Sequence, residues 1–96
     1  MKVEEYLSQN KESIQQQCQT IANEGSKAII TVKEDGESYA HKISTVEKFT
    51  QTIPDNQFFK TMRNGINNAV LNKVIPIVIF ESQKAKVFSL PDFKQE

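Results

Sequence analysis

The chain has 96 residues, of which 38% are hydrophobic and 25% charged, with twelve basic side chains balancing twelve acidic ones. That is one domain of ordinary globular composition, without the basic excess that a dedicated phosphate binder shows. Its longest apolar run, Val74 to Phe80, is far short of the roughly 20 residues that span a bilayer, so no membrane association is expected. The N-terminus carries no apolar leader, and the single Cys18 forms no internal disulfide, so a cytoplasmic location is expected. Lysine outnumbers arginine eleven to one, a bias of AT-rich genomes that suggests a bacterial or phage origin.

The first helix is predicted over Val3 to Glu24, with Val3, Leu7, Ile14, Cys18, Ile21 and Ala22 along one face and glutamates and glutamines on the other. Gly25 is its expected stop. A hairpin of strands Ala28–Lys33 and Glu37–Ile43 follows, joined by Asp35-Gly36, the dipeptide suited to a two-residue type I′ turn. That loop sets Val32 opposite Tyr39, Ile30 opposite His41 and Ala28 opposite Ile43, all on one face, and places Glu34 against Glu37. The other face holds Ile29, Thr31, Lys33, Ser38, Ala40 and Lys42.

Ser44-Thr45-Val46-Glu47 reads as a capping box opening a second helix, Val46 to Asn72, that breaks near residues 53–55 at Pro54. Phe58, Phe59, Met62, Ile66, Ala69 and Val70 form its inner face. Gly65, costly in a helix interior, marks either a close helix–sheet contact or nothing. Val74–Phe80 is apolar throughout, as a strand buried on both faces would be. Ala85–Leu90 is the closing strand, and Pro91 ends it.

The order α-β-β-α-β-β is expected to give a single α+β domain built from pseudo-repeats 1–45 and 46–96. The architecture expected is a two-layer sandwich, a four-stranded mostly antiparallel sheet with both helices on one face. The first strand of each half is the more apolar, which places those two strands in the centre. The second sheet face, carrying Ile29, Thr31, Ala40, Ile77 and Ile79, would then be open, and an open apolar face on a small protein marks a protein contact, through homodimerisation or docking on a larger partner. The alternative is that the second helix or the C-terminal tail wraps it.

Residues suited to chemistry are few. His41, the lone histidine, sits on the inner hairpin face, and Cys18 on the apolar face of the first helix. Together they offer too few ligands for a metal. The glycines are isolated, so no phosphate loop forms. No enzyme activity, cofactor or metal is expected. The second helix displays Lys60, Arg63, Asn64, Asn67 and Asn68 at three- and four-residue spacing, and these residue types can contact phosphates and base edges. Arg63 is equally suited to a carboxylate on a protein partner.

Each half resembles the helix-plus-hairpin part of the Phd/YefM antitoxin family, in Ala28-Ile29-Ile30-Thr31 and Pro76-Ile77-Val78-Ile79, each followed by a second strand. The strand that opens that family's fold is absent here. The resemblance implies a regulatory or inhibitory role. The expected function is a protein-binding inhibitor, adaptor or regulator. The alternative is a dimeric, antitoxin-like nucleic-acid-binding regulator using the 60–73 helix.

Overall fold

A computed structural model describes residues 2–36, 38–55, 57–81, 84–89 and 93. Elements follow in the order α1 (Lys2–Gln9), α2 (Lys11–Asn23), β1 (Ala28–Asp35), β2 (Ser38–Thr45), α3 (Val46–Thr52), α4 (Gln57–Leu71), β3 (Ile77–Glu81) and β4 (Lys84–Phe88). The protein is α+β, with one mixed four-stranded sheet in the order β2-β1-β3-β4. The two apolar strands, β1 and β3, are central, as their composition implied. They pair parallel, with Ile30 opposite Ile77 and Val32 opposite Ile79, while each hairpin is antiparallel.

The first predicted helix is two, broken at Asn10, whose side-chain amide donates to the Tyr6 carbonyl at 2.9 Å. Its end is as the glycine implied. Gly25 takes φ +82°, its N–H reaches the Ala22 carbonyl at 3.0 Å, and the Ser26 N–H reaches Ile21 at 3.1 Å. This is the paired Schellman closure, which needs a left-handed residue at that position. The end of α4 repeats it with a lysine there. Lys73 has φ 59°, its N–H bonds Val70 at 3.1 Å, and Val74 bonds Ala69 at 2.9 Å.

The hairpin turns one residue later than the Asp35-Gly36 loop implies. Asp35 pairs with Ser38, so Gly36 (φ +64°) is the first loop residue, and Val32 meets His41 while Ile30 meets Ile43. The Ser38 hydroxyl donates to the Asp35 carbonyl at 3.0 Å. Sliding the pairing by two residues leaves every side chain on its expected face, and it sets Glu34 against Tyr39 rather than Glu37. The cap of α3 is likewise one residue on. Thr45, not Ser44, accepts from the Lys48 N–H at 3.2 Å.

The largest correction concerns layers. The helices cover both faces of the sheet instead of one. On one face α1 and α2 bring Val3, Leu7, Ile14 and Cys18 against Ala28, Ile30, Val32, Ile77 and Ile79, joined by Phe93. On the other, Ile53, Met62 and Ile66 of the α3–α4 segment meet Ile29 and Val78, with the Phe49 and Phe80 rings beside them, tilted to each other at a centroid distance of 6.3 Å. Two clusters back to back across one sheet explain why β3 shows no alternation. Its neighbour contacts are apolar above and below.

The same arrangement decides Gly65. A β-carbon there would stand 3.1 Å from Val87 Cβ and 3.3 Å from its Cγ1, so α4 lies so close on β4 that a side chain at this position would press Val87 aside. The turn expected at residues 81–84 falls partly, and the terminal stretch Leu90–Pro91 wholly, outside the described residues, as does the side chain of Phe58. Among the described residues no helix is long and apolar enough to cross a membrane.

Candidate interaction surface

The residues expected to form an open sheet face divide into two groups. Ile29 is fully buried beneath α3 and α4. Ile77 and Ile79 are buried on the opposite face, under α1 and α2, because the parallel register aligns Ile77 with Ile30 rather than with Ile29. These three are core, and they offer no contact surface in the folded chain. Thr31 and Ala40 fare differently. Ala40 is exposed and Thr31 half-buried, at the β1–β2 end of the α3/α4 face. The Thr31 hydroxyl donates to the Lys42 carbonyl at 3.1 Å.

Around that pair the sheet changes character. Thr31 stands opposite Lys42, and Lys33 opposite Ala40, so the two lysines are diagonal neighbours on one face. Both are exposed, and neither makes an ion pair among the described residues. Cover by α3 and α4 thus reaches Ile29, Val78, Phe80 and Val87 and stops short of this corner. The corner includes part of β2, one of the sheet's two end strands, which among the described residues pairs only with β1.

The polar face of α4 is arranged as its spacing implies, with one exception. Lys60, Asn64, Asn67 and Asn68 are exposed, and Leu71 beside them is 79% exposed. Arg63 is not free to meet a partner in the same way. Its Nη2 donates to the Ile53 carbonyl at 2.9 Å, and Nη1 lies 3.8 Å from an exposed Asp55 carboxylate. The guanidinium closes the α3–α4 connection by holding the carbonyl that Pro54 leaves at the end of α3. Its Nε is buried without a partner among the described residues.

His41 and Cys18 hold structural places. The Tyr6 hydroxyl and His41 Nδ1 are hydrogen-bonded at 2.6 Å, and the Tyr6 ring lies 5.7 Å from those of both Tyr39 and His41. The contact ties α1 to the outer strand. Cys18 is buried in the α2 core, and that burial pushes its thiol up to about 11 from 9.0. A thiol so protonated is a poor nucleophile and a poor ligand.

Sequence reasoning missed three features of this region. Phe93, 2% exposed, docks into the α1–α2 core, and its carbonyl accepts from the Ile75 N–H at 2.9 Å. A lone phenylalanine among polar tail residues was the available signal. The aromatic trio at β2 and the fixed role of Arg63 depend on partners distant in the chain, and no local pattern marks them. Compared with protein-family models, curated proteins and solved structures, the chain matches none.

Proposed function

We propose that the chain is a small protein-binding module, an inhibitor, adaptor or regulator of a larger protein in a bacterial or phage setting. Its two halves, residues 1–45 and 46–96, are read as copies of one helix–hairpin unit. The observation that carries the reading is the outer strand β2, eight residues long, whose outer margin is unpaired among the described residues, beside the corner of Thr31, Lys33, Ala40 and Lys42 that α3 and α4 leave uncovered. An unpaired strand edge is a template for another chain, because its backbone donors and acceptors are already aligned. Homodimerisation through the sheet face would need the surface that α3 and α4 occupy, so the partner is taken to be a different protein. A photocrosslinking residue at Ala40 should capture one host protein that the same probe at Gln16, on the outer side of α2, does not. Capture from both positions or from neither would defeat the reading.

A nucleic-acid-binding role has one observation in its favour. Lys33, Lys42, Lys48 and Lys60 are exposed and make no ion pair among the described residues. A salt-dependent mobility shift with bulk DNA or RNA, weakened by Lys60→Ala, would support it. Arg63→Ala is unsuited to this test, since it also cuts the Ile53 contact.

A further inference from the structure

The two sides of β2 differ in chemistry. Towards α1 it presents Tyr39, His41 and Ile43, all half-buried, with the Tyr6 ring against the first two. On the other side it presents Ser38, Ala40 and Lys42, exposed, with Ser44 half-buried. Its outer margin makes no backbone hydrogen bond among the described residues, apart from the pairing with β1 on its inner side. A chain laid along that margin would therefore meet aromatic and aliphatic surface on one side and hydroxyls and an ammonium group on the other.

A second copy of this protein suits the edge poorly. Lys42 is the only charged side chain built on β2, and it stands mid-strand. Antiparallel pairing of two β2 strands along most of their length would set the two lysines opposite or diagonal to each other, which is unfavourable. A mid-strand lysine is also a common device against self-pairing at sheet edges. It repels another β2 and attracts a strand of opposite charge. Lys33, one strand further in and diagonal to Lys42, adds positive charge beside it, while the exposed Asp35 lies at the Ser38 end of the same face, away from Lys42.

We propose that β2 accepts an extended segment of the partner protein as a fifth strand, one in which acidic residues alternate with apolar ones. Its carboxylates meet Lys42, with Lys33 behind, while its apolar side chains pack on the Tyr39–His41–Ile43 side. Backbone hydrogen bonds supply affinity in such strand addition, and the alternating side chains supply selectivity. This rests on the protein-binding reading above and names the chemistry of what binds.

The test is a selection of displayed random eight-residue peptides on the folded protein. Enriched peptides should alternate acidic with apolar residues and slow hydrogen exchange at β2 amides. They should bind Lys42→Glu at least about tenfold more weakly, since the reversal turns an attraction into a repulsion at a register position. Lys42 is exposed, so the variant should keep its melting temperature, and Lys42→Gln should fall between the two in affinity. Strand addition is overturned by peptides that protect another element or bind Lys42→Glu equally well, by a library that yields no binder, or by a concentration-dependent dimer protected along β2. A host protein crosslinked at Ala40 with no β2-binding peptide would leave the surface reading standing and remove strand addition alone.

Discussion

Gly65→Ala sets two effects of known sign against each other. Replacing an interior helical glycine by alanine ordinarily stabilises by about 1 kcal/mol, because the helix no longer restrains so free a residue. Here the new methyl would lie 3.1 Å from Val87 Cβ, 3.3 Å from Cγ1 and 3.6 Å from Cγ2. Carbon pairs prefer about 3.5–4.0 Å, so the first two contacts are repulsive. Overpacking of this kind costs about 1–3 kcal/mol when helix and strand must separate. The repulsion outweighs the propensity, and the net expectation is a loss of about 1 kcal/mol. Val87→Ala would keep the Cβ at the shortest contact, so the background that removes the obstacle is Val87→Gly. In that background Gly65→Ala should stabilise by about 1 kcal/mol, giving a coupling of about 1–3 kcal/mol between the sites. Urea unfolding followed by far-ultraviolet circular dichroism measures all four proteins, since the chain lacks tryptophan. If Gly65→Ala stabilised both backgrounds equally, α4 would not lie on β4 as described and the reasoning would fail.

Two further predictions concern single residues. Lys73 holds a left-handed conformation that costs a non-glycine residue about 1 kcal/mol, so Lys73→Gly should raise stability by about that amount in the same urea assay. Cys18, with its thiol raised from 9.0 to about 11 by burial, should react with a disulfide reagent at pH 8 about a hundredfold more slowly in the folded chain than in urea. Only the unfolded chain ionises this thiol near pH 9, so its contribution to stability is full below that value and declines above it, and Cys18→Ala should flatten the decline.

Much of this architecture could be read before any coordinates, and the failures have definite causes. Helix and strand identities followed from period, and the central positions of β1 and β3 from their apolarity. Periodicity says that α4 has an apolar side, though, and not which face of the sheet receives it. The parallel pairing of Ile30 with Ile77 decides that, and it joins residues half a chain apart. The hairpin slip had a local cause. Gly36 fits either position of a two-residue loop, and both registers keep the same faces, so hydrophobic pattern was blind to the difference. Of the proposed contact residues, Thr31 and Ala40 remained on the surface because α3 and α4 end before reaching them, while Ile29, Ile77 and Ile79 are core. Arg63 looked available because its partner is a backbone carbonyl ten positions away, which no side-chain pattern records.

The parallel seam between β1 and β3 also governs how the chain must be made. When the first hairpin leaves the ribosome, Ala28, Ile30 and Val32 can shelter beneath α1 and α2, but Ile29 and the inner margin of β1 stay bare until β3 has been synthesised. Closing so distant a pairing is slow compared with forming either hairpin. The first hairpin therefore passes through an interval with both of its margins bare, where in the folded chain β3 covers the one on β1. During that interval the inner margin of β1, which carries no lysine between Ala28 and Val32, is the more adhesive of the two.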